Sequence, residues 1–173
     1  MIVGKPLLTI EQIQSKIKEL AKRISQDYSG KNILAVGILK GAFMFFSDLV
    51  RAIRIPLSLD FIIASSYVRT ETSGEVKIFY DIQEHVADKD VLLIDDIIDS
   101  GITLNHVRES ILMKGPKSLK TCVFLDKKER RVKNVPLDYV GFGIPNEFVV
   151  GYGLDYEGQF RNLPYISVFK KKT

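Results

Sequence analysis

The sequence predicts an α/β fold, a Rossmann-like parallel β-sheet flanked by helices, in a single domain spanning residues 1–173. Three observations carry the prediction. Short apolar segments of strand length alternate with stretches of helical periodicity along the chain. Val91, Leu92, Leu93 and Ile94 form an apolar run without alternation, as expected of a central strand covered on both faces. Two of the strand-like segments, 32–39 and 91–94, lead through short Gly-containing turns into helical stripes, the pattern of a strand–turn–helix unit.

The elements follow in order. Thr9 and Gln12 form a capping box, and Ile10, Ile13, Ile17, Leu20 and Ile24 continue a helical stripe to about Tyr28, with Gly30 as the stop. Residues 32–39 read as a strand. Ala42, Phe46, Leu49, Val50 and Ile53 mark the helix behind it. Residues 57–65 read as a strand followed by a polar stretch, 66–75. After the strand 91–94, Leu104, Val107, Ile111 and Leu112 recur at helical spacing, so a helix is predicted from about Thr103. Three further strands are expected at 119–125, 139–144 and 148–152.

Composition narrows the function classes. Hydrophobic residues make up 46% and charged residues 27% of the chain, ordinary for a globular protein. No apolar stretch approaches the roughly 20 residues of a membrane span, and the N-terminus lacks a signal-peptide pattern. Cys122, the only cysteine, sits in an apolar run and reads as a buried thiol, which favours the cytoplasm. His85 and His106 are the only histidines, and no Cys/His spacing suits zinc. The net charge is +4, with basic clusters at Lys127, Lys128, Arg130, Arg131 and Lys133 and at Lys170, Lys171 and Lys172. These are read chiefly as solvated surface, so nucleic acid is not expected as a partner.

The chemistry concentrates in residues 95–103. Asp95 and Asp96 come at the end of the apolar run, and Asp99 leads into Ser100, Gly101, Ile102 and Thr103. Open α/β sheets bind ligands at the carboxyl ends of their strands. A turn entering a helix there can converge its N–H groups on an anion, and Gly101 allows the backbone a close approach. The combination suits a sugar phosphate: amides for the phosphate, carboxylates for hydroxyls or a cation.

This stretch resembles the phosphoribosyl-pyrophosphate-binding motif of type I phosphoribosyltransferases, and most closely that of the hypoxanthine-guanine branch, Glu/Asp-Asp-Ile-Ile-Asp-Thr/Ser-Gly-x-Thr. A second match runs from Ile144 to Tyr156. The resemblance implies that family's fold, with a small hood formed from terminal segments and a flexible lid. It implies purine salvage: Mg²⁺-dependent transfer of the 5-phosphoribosyl group from phosphoribosyl pyrophosphate to N9 of hypoxanthine or guanine. It places phosphoribosyl contacts at Asp95, Asp96, Asp99, Ser100, Gly101, Ile102 and Thr103, with Asp99 as general base. Lys40 and Gly41 correspond to a pyrophosphate loop, often with a cis peptide before the lysine, and Arg161 to an arginine that contacts pyrophosphate. Lys127, Phe148 and Val149 correspond to purine contacts. Ser66 and Tyr67 open the lid, and Asp95, Asp96 and Asp155 correspond to metal-binding positions.

Lys127 fits its implied role chemically, because an ammonium only donates and so matches a 6-oxo group while opposing a 6-amino group. Three positions depart from the usual pattern: Asp95 replaces a common Glu, Ala42 a frequent Gly, and Glu147 a frequent Lys, the last weighing against an anionic base such as xanthine. Relatives are commonly homodimers or homotetramers. The rival expectations are a xanthine-preferring enzyme and a phosphoribosyltransferase-like regulator that binds RNA or a nucleotide without turnover.

Overall fold

The structure, a computed structural model, describes residues 2–69 and 72–170, without the side chains of 2, 3, 66–69 and 72–75. Six strands form the main sheet: β2 (Ile33–Leu39), β3 (Leu57–Arg69), β4 (Thr72–Tyr80), β5 (Asp90–Ile98), β6 (Ser118–Asp126) and β7 (Tyr139–Gly143). Their order is β4-β3-β2-β5-β6-β7, and every pairing is parallel except β3–β4. The predicted strand at 91–94 lengthens to nine residues, because pairing with β6 continues to Ile98↔Asp126 and carries both aspartates inside the ladder. The polar stretch after residue 65 is also mostly strand. It forms the arms of an antiparallel hairpin, since an edge strand needs only its backbone paired.

Among the described residues, three α-helices cover the sheet. Helix α1 (Ile10–Asp27) begins at the predicted capping box: the Thr9 hydroxyl accepts from Gln12 N at 3.3 Å, and Gln12 Oε1 accepts from Thr9 N at 2.8 Å. With α2 (Phe43–Ala52) it closes one core against the sheet, in which Phe45 and Phe124 pack at 4.7 Å between ring centroids. Helix α3 (Ile102–Met113) closes a second core with Leu104, Val107 and Ile111. The predicted stripe fails at its end, because Leu112 falls on the outer face and is 51% exposed.

The chain ends build a separate antiparallel sheet: β1 (Ile2–Leu8), β9 (Ile166–Lys170) and β8 (Val149–Val150), in the order β1-β9-β8. This is the hood expected from the resemblance. It stands beside the carboxyl edge of the main sheet because Ile144, just past β7, donates to Asp126 O at 3.0 Å and directs the chain there. No described helix is long and apolar enough to cross a membrane.

Candidate active site

Parallel strands bring β2, β5 and β6 to a common carboxyl edge, and each ends in chemistry-bearing residues. From β2 come Lys40 and Gly41, after a cis peptide between Leu39 and Lys40. Gly41 touches β5 so closely that a Cβ there would overlap Asp96 Oδ2, and a Cβ on Gly153 would overlap Gly41 O. Gly153 has φ +101°, which glycine adopts without strain. The Gly41 backbone is therefore wedged between the Asp96 side chain and the backbone of Gly153.

From β5 come the carboxylates. Asp95 is 8% exposed and accepts from Asp96 N at 3.0 Å, while Asp96 accepts from Ile97 N at 2.8 Å. Burial drives the Asp95 carboxyl well above the ordinary carboxylate range, and the like charge of Asp96 adds to the effect. Asp96 is also raised, by burial, against the partial relief of its hydrogen bonds and of Arg161. Asp99 lies beyond the strand with Arg130 Nε 3.1 Å from Oδ1. That contact is ionic, for the same oxygen is buried without a hydrogen bond.

The strand then turns into α3. Gly101 has φ +81° and Ser100 Oγ accepts from Ile102 N at 3.3 Å, so the helix opens directly from the turn. Ser100, Gly101, Ile102 and Thr103 thus occupy the positive end of a twelve-residue helix.

From β6 comes Lys127, only 6% exposed, whose ammonium is shifted down by burial, with Asp99 and Glu147 opposing the shift and Arg130 adding to it. The hood contributes Phe148 and Val149. Phe148 is 51% exposed and backed by Tyr156 and Phe169, at 5.8 and 6.0 Å between centroids. Below them Arg161 Nη2 lies 2.7 Å from Asp155 Oδ1, and its Nη1 donates to Gly153 O at 2.6 Å.

A cleft of about 360 Å³ gathers most of these groups: Gly41, Asp96, Asp99, Lys127, Phe148, Val149, Asp155 and Arg161 all line it. Asp95, Lys40 and residues 100–103 stand outside its lining. The side chains of Ser66 and Tyr67 lie outside the described residues. Arg130, Ile97 and Leu154 also line the cleft and were not singled out in the sequence. Arg130 was legible only as one of a basic cluster, and its place opposite Asp99 depends on the 3₁₀ turn Lys128–Arg130.

A larger cavity, about 900 Å³, lies between α1 and α2 and is lined by Lys18, Lys22, Arg51 and Arg54. It shares no lining residue with the cleft above, and of its bases Arg51 lies in the last turn of α2, where a cation complements the helix carbonyls. The smaller cleft is the one lined by the candidate site residues.

Carboxylate oxygens suit a hard cation such as Mg²⁺. Among the described residues, however, no three His, Cys, Asp or Glu side chains converge on one ion. The expected trio Asp95, Asp96 and Asp155 is therefore not a closed cage, because Asp155 is engaged by Arg161 and Asp95 is buried. An ion held by one or two of these carboxylates and completed by substrate oxygens and water fits the donors present, which is how Mg²⁺ is commonly bound.

Comparison with known proteins agrees with the geometry. The phosphoribosyl transferase domain family matches residues 5–157. Hypoxanthine phosphoribosyltransferase of Escherichia coli K12 is 48% identical over 158 residues, 90% of this chain and 89% of that protein. Hypoxanthine-guanine phosphoribosyltransferase of Dictyostelium discoideum is 45% identical over 171 residues, covering 96% and 95%. The crystal structure of a hypoxanthine phosphoribosyltransferase from Staphylococcus aureus superposes with a TM-score of 0.93 at 47% identity, over 97% of this chain and 92% of that one. The chain belongs to the phosphoribosyltransferase family, of type I. Within it, these relatives set it in the hypoxanthine-guanine branch.

Proposed function

We propose that this protein is a hypoxanthine(-guanine) phosphoribosyltransferase of purine salvage, acting in the cytoplasm as one catalytic domain. One observation carries the reading: a buried ammonium, Lys127, lines the same cleft as Asp99 and the exposed ring of Phe148. A 6-oxopurine stacked on Phe148 can accept from Lys127 at O6 while offering its N7 proton to Asp99. The desolvated ammonium has few other acceptors, so a purine presenting an amino group there leaves it unpaired.

In the proposed reaction the amides of residues 100–103 hold the 5-phosphate, with Asp95 and Asp96 accepting from the ribose hydroxyls. Lys40, Gly41 and Arg161 face the pyrophosphate side. The C1′–O bond to pyrophosphate breaks, C1′–N9 forms, and the N7 proton passes to Asp99. Asp95, Asp96 or Asp155, together with substrate oxygens, would hold Mg²⁺, which when bound would supply positive charge to balance the departing pyrophosphate. The hairpin that includes Ser66 and Tyr67 is suited to cover the ribosyl centre and exclude water. Two of the basic residues that would favour an RNA-binding reading are engaged internally, Arg130 with Asp99 and Arg131 with Asp126.

We also propose self-association through one face of the main sheet. Phe43, Leu59 and Phe79, exposed by 40%, 48% and 52%, lie on its α2 side and form an apolar surface suited to a second copy.

The function is tested by incubating the protein with phosphoribosyl pyrophosphate, Mg²⁺ and, separately, hypoxanthine, guanine, xanthine and adenine. Nucleotide is expected from hypoxanthine or guanine and not from adenine. No product with any 6-oxopurine overturns the reading.

A further inference from the structure

The segment after β6 is fastened to the turn after β5 at several points. Lys127 N donates to Ile98 O at 3.0 Å, and Val132 N and Lys133 N both donate to Ser100 O at 2.9 Å. A Cβ on Gly101 would stand 2.5 Å from Lys133 O and 3.1 Å from Arg131 Cδ, so the turn is pressed directly against this segment. At its centre Arg131 forms an ion pair with Asp126, their side chains 17% and 4% exposed. The carbonyl of Asp126 accepts from Ile144 N at 3.0 Å, where the chain leaves β7 for Phe148. Asp126 thus touches the purine lysine through sequence and the purine-stacking segment through its backbone. Through Arg131 it reaches the phosphate turn.

We infer that Arg131, held by Asp126, is a positioning residue for the phosphoribosyl transfer: it fixes the turn bearing Asp99 and residues 100–103 relative to the purine subsite. The inference rests on the site assignment proposed above. Arg131 is not among the residues that line the cleft. Its effect passes through Val132 and Lys133 onto the Ser100 carbonyl. The backbone hydrogen bonds of Lys127 and Ile144 precede or lie apart from Arg131, whereas the two amides that fasten the Ser100 carbonyl follow Arg131 directly in the chain, so loss of the pair bears first on the phosphate turn.

The test compares wild type with Arg131→Met, Asp126→Asn, Arg131→Lys and the double variant Asp126→Asn/Arg131→Met, measuring kcat, KM for each substrate and Tm. Arg131→Met and Asp126→Asn are expected to raise KM for phosphoribosyl pyrophosphate about tenfold and to lower kcat by up to about 10²-fold, as small misplacements of reacting groups do. KM for hypoxanthine should change less than about threefold. The double variant should be no worse than the poorer single one, since paired residues act as a unit. Arg131→Lys, which keeps the charge, should recover much of the loss and remains informative if Arg131→Met does not fold. A lowered Tm with unchanged kinetics would mean the pair is structural only and overturn the inference. Equal rises in both KM values, or additive losses in the double variant, would overturn it too. Wild type that makes no nucleotide would bring down the site assignment itself, and the inference with it.

Discussion

Asp95 and Asp96 show how a residue's surroundings work against its own stability. Two carboxylates adjacent in a buried strand cannot both ionise cheaply, and both are shifted upward. A carboxyl whose pKa is raised on folding contributes stability at low pH that is lost as pH rises through the raised value. Asp95→Asn keeps the side-chain acceptor for Asp96 N and removes one charge. The unliganded variant should therefore melt about 2–4 °C higher near neutral pH, roughly 1 kcal/mol in a protein of this size. The advantage should shrink as pH falls toward the ordinary carboxylate range, which thermal unfolding at several pH values checks. For turnover, Asp99→Asn should lose about 10²–10⁴-fold in kcat while binding phosphoribosyl pyrophosphate normally, because a general base is worth about that much. Lys127→Met should weaken hypoxanthine binding far more than phosphoribosyl pyrophosphate binding, read as separate KM values. The carboxylates were legible in the sequence because they follow an apolar run of strand length, whereas the role of Lys127 was expected only through the family resemblance. Arg130 was not legible, since only a three-residue turn brings it 3.1 Å from Asp99.

At the scale of elements, the site depends on close backbone approach. Gly41 has no room for a side chain against Asp96, nor Gly153 against Gly41 O. Gly41→Ala should cost about 1–3 kcal/mol, the range for forced overpacking, seen as a lower Tm together with weaker binding of phosphoribosyl pyrophosphate. Helix α1 was legible to within a residue or two, because a capping box marks its start and Gly30 follows its end. The strand pairing of the β3–β4 hairpin was not. Its outer arm, TSGEVKIFY, carries no sustained apolar alternation, and an edge strand can be held by backbone pairing alone. The extension of β5 past Ile94 was hidden for a related reason: a pairing partner in β6, not local composition, sets where it ends.

In the whole molecule, two cores on opposite faces of one sheet hold the carboxyl edge rigid, while the hood joins the two ends of the chain beside it. The parallel sheet was legible from the alternation of elements. The hood was expected only through the family resemblance, because pairing of Ile2 with Lys170 is a contact between chain ends that no local pattern announces. The apolar face formed by Phe43, Leu59 and Phe79 belongs to this scale. Leu59→Asp should shift the protein to a smaller species in sedimentation velocity.

The arrangement as a whole is most directly tested by a crystal structure with IMP bound. The 5′-phosphate should lie on the amides of residues 100–103, with the base on Phe148, O6 within hydrogen-bonding distance of Lys127 Nζ and N7 facing Asp99. A nucleotide lodged instead in the cavity between α1 and α2, with the turn after β5 unoccupied, would contradict the account.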